Sequence, residues 1–164
     1  LRARRDRYEL ADPHLRLWLA IVAPNRARLQ AGGGAEVWAR LRETTWPSQV
    51  LGSRWESVSR AHLARVGEER AGPFDAVGAT TVPDRVLRRS HEVDLVAMRG
   101  GRIAALGEAK LRTLGASDLD RLLRIRDLLD APDAAIVLAS VAGVDPSLTT
   151  RPDLIAIDPA DVYT

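Results

Sequence analysis

The chain has 164 residues, 46% apolar and 28% charged, the balance of a globular domain with enough apolar side chains for a real core. It holds no cysteine, which excludes disulfide scaffolds, thiol nucleophiles and thiolate metal sites, and its longest apolar run, Leu15 to Pro24, is broken by Arg16 and far short of the roughly 20 residues of a membrane span. The formal net charge is only +2, yet the isoelectric point is near 9.6 because arginine supplies nearly all the cations; Lys110 is the sole lysine.

Residues Leu1 to Arg7 read as a basic arm. Asp12 before Pro13 predicts a helix start, with Leu15, Trp18, Leu19 and Val22 at helical spacing as a buried face and Pro24 as its end. A second helix is predicted over Ala35 to Glu43, carrying Val37, Trp38 and Leu41 after the Gly32-Gly33-Gly34 break, and Trp18, Trp38 and Trp46 read as packing residues. That glycine run lacks the Gly-Lys-Ser/Thr ending of a phosphate-binding loop. Pro47 and Ser48 open a third helix to about Val66, with Gly67 as its stop.

From there the pattern becomes strand-like over Phe74 to Val82, Glu92 to Met98 and Arg102 to Lys110, joined by Pro83-Asp84 and Gly100-Gly101. Ser117 with Asp120 predicts the start of another helix, with Leu119, Leu122, Leu123 and Leu128 as its apolar stripe, and strands follow at Ala135 to Ala139 and Leu154 to Ile157. The fold class is therefore α/β. Residues 1–46 form an N-terminal arm and helical segment; residues 47–164 form a domain of helix, three strands, helix and strand, its mixed sheet covered by helices on both faces. The three histidines, His14, His62 and His91, share no ligand spacing, and His91 reads as a surface residue at a strand start. Nothing resembles a signal peptide, so the expected compartment is the cytoplasm; a leucine in first place suggests a piece of a longer protein.

Alternation along Glu92 to Met98 puts Glu92, Asp94, Val96 and Met98 on one face and Val93, Leu95 and Ala97 on the other; in the next strand Ala104, Leu106, Glu108 and Lys110 share a face. A carboxylate in the middle of a covered sheet is costly without a partner or a task. Whether Asp94 and Glu108 converge depends on the turn. A two-residue Gly100-Gly101 loop continued in regular pairing sets position 94 against 107 and separates the carboxylates; a three-residue Arg99-Gly100-Gly101 loop with a bulge sets 94 against 106 and gathers Asp94, Glu108 and Lys110 on one face.

Asp94 late in one strand, Glu108-Ala109-Lys110 on the next and Glu56 on the preceding helix resemble the PD-(D/E)xK nuclease core, with Val93 in place of the motif's proline. The wider chain, from Tyr8-Glu9-Leu10-Ala11-Asp12-Pro13 through Trp55-Glu56 and Glu92-Val93-Asp94-Leu95 to Gly107-Glu108-Ala109-Lys110, resembles the C-terminal domain of archaeal-type P-loop ATPases, domain of unknown function 234. The resemblance implies a restriction-endonuclease-like core attached, in the full-length chain, to P-loop ATPase and winged-helix modules. It also implies Mg²⁺- or Mn²⁺-dependent hydrolysis of DNA, with branched DNA a candidate because archaeal junction resolvases share the core. Asp94, Glu108, the carbonyl of Ala109 and Glu56 would hold the metal, and Lys110 would orient water and offset charge on the phosphate. Arg99, Arg102 and Arg112 are the expected nucleic-acid contacts at the rim. The competing expectation is an inactive nuclease-fold module that binds nucleic acid or regulates its ATPase.

Overall fold

A computed structural model describes residues 10–71 and 73–163, with side chains of 67–71 left aside. The chain divides into two compact units, one ending at Arg54 and the other beginning at Trp55. No helix among the described residues is long and apolar enough to cross a membrane.

The first unit is helical. Asp12 caps α1 (Pro13–Leu17) through the amides of His14 and Leu15, as the Asp-Pro pair predicts. A π-helical turn, Trp18–Val22, then absorbs the amide missing at Pro24, and the chain continues through a 3₁₀ turn, Ala23–Asn25, into α2 (Arg26–Gln30) rather than ending at the proline. The wider turn also rotates the apolar face. Ile21 is buried, whereas Leu15, Trp18 and Leu19 are exposed, so the expected buried stripe does not form. In α3 (Gly34–Leu41) Val37 is buried, while the half-exposed Trp38 meets Trp46 edge to face at 5.6 Å. A second π turn, Trp46–Leu51, leads into α4 (Gly52–Ala71), which runs straight through Gly67; an interior glycine costs a helix only about 1 kcal/mol, too little to stop it.

The second unit is built on one sheet in the order β1 (Ala76–Asp84), β2 (Arg89–Arg99), β3 (Arg102–Lys110), β4 (Ala135–Ser140) and β5 (Leu154–Ile157). The first three strands are antiparallel neighbours; β3, β4 and β5 run parallel, the crossover from β3 to β4 being α5 (Ala116–Leu128). A short helix, α6 (Pro159–Tyr163), follows β5. This is the predicted order of elements in an α/β fold with a mixed sheet. Each face has its own core. On one, Leu119, Leu122 and Ile125 of α5 pack on Val93, Leu106, Ile136 and Leu138; on the other, Trp55 and Leu63 of α4 pack on Leu95, Ala97, Ala109 and Val137. The Trp55 indole N–H donates to the carbonyl of Ala139 at 3.1 Å, tying α4 to the middle of the sheet. Gly107 permits the close approach of β3 and β4, since a Cβ there would lie 2.2 Å from the Val137 carbonyl oxygen.

Two details of α5 and β1 differ from expectation. The helix begins after Gly115 rather than Ser117, because the Asp118 carboxylate accepts the Gly115 amide at 3.0 Å, and Leu128 lies on the exposed side. Pro83 and Asp84 belong to β1, an edge strand where proline's missing amide is harmless; the turn is 85–88. Asp84 is the anchor of that turn. Its Oδ1 accepts the amides of Val86 and Leu87 at 3.0 and 2.9 Å, and its Oδ2 lies 2.7 Å from Arg124 Nε and 3.3 Å from His91 Nε2. His91 is thus buried in an Asp84–Arg124 network and is not a surface residue. The Arg124 hydrogen bond, and after it the Leu87 amide, hold the Asp84 carboxyl far below the usual carboxylate range.

A carboxyl whose pKa falls on folding adds stability that is complete above its unfolded value of about 4 and is lost as pH drops below it. Asp84→Asn should therefore lower the melting temperature by several degrees at pH 7, with the gap to wild type closing as pH falls below about 4. A gap of constant size down to pH 2 would show that the charge of Asp84 contributes nothing.

Candidate functional site

The turn between β2 and β3 has two residues, Gly100 and Gly101, with φ of 57° and 75°, and pairs Arg99 with Arg102 and Met98 with Ile103. Regular continuation of that register would separate Asp94 from Glu108. Instead Ala97 pairs with Ala105, leaving Ala104 as an extra residue, and the ladder proceeds to Leu95 against Gly107. One step further, Asp94 stands level with Glu108. The two-residue loop and the shared face therefore coexist, an arrangement outside both turn alternatives.

A second bulge lies on the other edge of β2. Gly78 pairs with Val96 and Thr80 with Val93, so Asp94 and Leu95 together oppose Ala79. Simple alternation fails at this point: Val93 packs with Leu106 on the α5 side, while Leu95 and Ala97 pack on the α4 side. The bulge aims the Asp94 carboxylate at the α5 face, where Glu108 and Lys110 also point.

Beyond Leu95 and Gly107 the β2–β3 pairing stops, and side chains take the polar backbone groups that the strands no longer share. Asp94 Oδ2 accepts the Ala109 amide at 3.1 Å. Arg60 of α4 donates through Nη1 to the Asp94 carbonyl at 3.1 Å, and Arg121 of α5 donates through Nη1 to the Glu92 carbonyl at 3.0 Å.

The charged groups converge here. Lys110 Nζ lies 2.8 Å from Asp94 Oδ2 and 3.0 Å from Glu108 Oε1. Glu108 Oε2 accepts from Arg121, through Nε at 3.1 Å and also through Nη2. Glu108 is buried, only 5% exposed, so both its oxygens need cations, and the four side chains sum to zero formal charge. Burial pulls the Lys110 pKa down, but the hydrogen bond and charge of Asp94, followed by those of Glu108, outweigh it and hold the ammonium above its ordinary value. Lys110 therefore keeps its proton at neutral pH.

Other expected site residues are placed differently. Glu56 Oε2 lies 4.0 Å from Arg60 Nη1, the guanidinium that also binds the Asp94 carbonyl, so Glu56 is linked to the cluster through Arg60. Among the described residues no group of three His, Asp or Glu side chains is arranged to hold a metal ion. Arg112 is held by both oxygens of Asp118, at 2.9 and 2.6 Å, and by the Thr113 carbonyl, so it secures the start of α5. That hydrogen bond raises the Arg112 pKa and lowers that of Asp118, burial opposing both shifts. Arg99 lies over the Phe74 ring at 4.9 Å, and Arg99 and Arg102 close the far end of the hairpin, about 16–20 Å along the strands from the carboxylates. The structure does not bring these two to the cluster. The cations that do flank it, Arg60 and Arg121, are absent from the sequence expectations. One signal for Arg121 exists: it lies between the inward positions Asp118, Leu122 and Ile125 of α5.

Removing Arg121 leaves a buried carboxylate with one cation fewer. Arg121→Ala is expected to cost about 1–3 kcal/mol in urea unfolding and distinctly less in a Glu108→Gln background. Equal costs in both backgrounds would show that Arg121 acts only through the Glu92 carbonyl.

No curated protein and no solved structure matches the chain. The family model DUF234, archaeal and bacterial proteins of unknown function, matches residues 18–122, well over half of the chain and inclusive of Glu56, Asp94, Glu108, Lys110 and Arg121. The chain belongs to the DUF234 family.

Proposed function

We propose that the second unit is a metal-dependent nuclease domain acting on DNA. The observation that carries this reading is the Lys110 ammonium held between Asp94 Oδ2 and Glu108 Oε1 on one face of the sheet, at the point where β2 and β3 part. An acid on one strand with an acid and a lysine two residues apart on the next is the residue pattern of PD-(D/E)xK nucleases.

The donor chemistry suits Mg²⁺ or Mn²⁺. Asp94 and Glu108, with the Ala109 carbonyl, offer hard oxygen ligands, and such ions retain water or substrate oxygens in their remaining positions. When bound, the ion would supply Lewis-acid polarisation of a phosphodiester. The chain's own groups do the rest. Lys110, kept protonated, places a positive charge where the phosphate oxygens gain negative charge and donates to a water aligned for attack. Arg121 must release Glu108 Oε2 for that carboxylate to act as a ligand, and the phosphate is a natural alternative partner for its guanidinium.

The same Arg121 contact supports a second reading, an inactive nuclease-fold module that binds nucleic acid or regulates an attached ATPase, because both Glu108 oxygens are already neutralised. A cleavage panel of linear, single-stranded and branched DNA with Mg²⁺ or Mn²⁺ separates the two. The nuclease reading expects metal-dependent cleavage that falls at least about 100-fold in Lys110→Ala and Asp94→Asn. Calorimetry should give Mn²⁺ heat that Asp94→Asn abolishes and Arg121→Gln strengthens. DNA binding with no cleavage of any substrate would favour the inactive module.

A further inference from the structure

The arginines of the second unit are not alike. Among the described residues from Trp55 onward, Arg60, Arg65, Arg99, Arg112, Arg121, Arg124, Arg126 and Arg151 all engage another side chain or a backbone carbonyl. Those with no such partner are Arg102 and three on one short stretch, Arg85, Arg88 and Arg89, all exposed. Of the four in this unit, three thus stand at the β1–β2 hairpin tip and one, Arg102, at the β2–β3 turn.

That tip is built rather than loose. β1 and β2 stay paired through Asp84 and Arg89, beyond the point where β2 has left β3. The buried Asp84 braces the turn through the Val86 and Leu87 amides and is itself held by Arg124 and His91. Arg88 adopts φ of 50°, a left-handed conformation that glycine or asparagine accepts far more readily. An arginine side chain is thus displayed at a position where the backbone favours none. Between the cations stand Val86, 80% exposed, and Leu87, also exposed.

We propose that the β1–β2 hairpin tip is a duplex-docking arm, with Arg85, Arg88 and Arg89 on phosphates and Val86 and Leu87 against the groove. The inference rests on the nucleic-acid reading of the Asp94–Glu108–Lys110 cluster and adds where the duplex is gripped. A two-stranded ribbon fits the major groove of B-form DNA, and paired guanidinium–phosphate contacts suit a tip with no acid among residues 85–89. The spacing agrees: Asp94 lies five residue steps along β2 from Arg89, about 16 Å, close to half a helical turn of duplex at about 17 Å. A phosphodiester at the cluster and a groove edge at the tip can lie on one molecule of DNA.

The test is the salt dependence of binding to a fluorescent duplex of about 20 base pairs, held in EDTA to prevent cleavage. Each phosphate contact adds about −0.9 to the slope of log affinity against log salt, so the Arg85→Ala, Arg88→Ala, Arg89→Ala triple variant should flatten the slope by two to three units. These side chains are exposed and make no hydrogen bond or ion pair to the described residues, so its melting temperature should match wild type. Val86→Ser with Leu87→Ser should weaken binding about tenfold at an unchanged slope. Duplex binding with a wild-type slope in the triple variant would overturn the docking arm while leaving the cluster's nuclease reading intact. Arginine-dependent duplex binding without any metal-dependent cleavage would uphold the arm and remove the nuclease reading. No duplex binding by wild type, or a preference for anionic vesicles that depends on the same arginines, would overturn the arm and leave the tip as a site for another acidic surface.

Discussion

The pairing of β2 with β3 must skip one residue before Asp94 and Glu108 can meet, and the arrangement of charge in this domain depends on that skip. A tight two-glycine turn fixes the hairpin in one phase, Ala104 shifts it by one, and the Asp94–Leu95 bulge on the opposite edge turns the acid toward α5. Neither bulge alone suffices. The first sets which residue stands level with Glu108, and the second sets which face Asp94 presents while allowing Val93 and Leu95 to fill different cores.

Burial then dictates the rest of the cluster. Glu108 sits within a sheet covered on both sides, where an unpaired carboxylate is prohibitively costly, so each oxygen has a cation and the cations come from different elements. Lys110 comes from the same strand and Arg121 from α5; Arg60 arrives from α4 to satisfy the strand's free carbonyl. Three basic side chains thus meet the polar groups exposed where β2 parts from β3. The Asp84 network, on the same ribbon, braces the tip that carries the unpaired arginines.

Much of this was legible in the residues. Period-two apolar runs bounded by glycine and proline marked β1, β2, β3, β4 and β5 to within a few positions, and the isolated lysine two residues after Glu108 pointed to the cluster. The bulges were not legible, because one extra alanine carries no signature of its own; they are set by which side chains each core accepts. Trp18 and Leu19 misled for a related reason, as helical spacing assumes 3.6 residues per turn and the π turn at Trp18–Val22 breaks it. Arg121 and Arg60 were hidden by abundance: in an arginine-rich chain only geometry distinguishes a cation that faces a buried acid from one that faces water.

The register itself is open to a direct chemical test, since a chain without cysteine reports only on those introduced. Residues on one face of paired strands lie about 5–8 Å apart, within reach of a thiol-to-thiol cross-linker of about 8 Å. The bulged register predicts that Asp94→Cys combined with Glu108→Cys is linked efficiently in the folded protein, whereas Asp94→Cys combined with Ala109→Cys, on opposite faces, is not. Linking of the Ala109 pair with none of the Glu108 pair would contradict the shared face and, with it, the site.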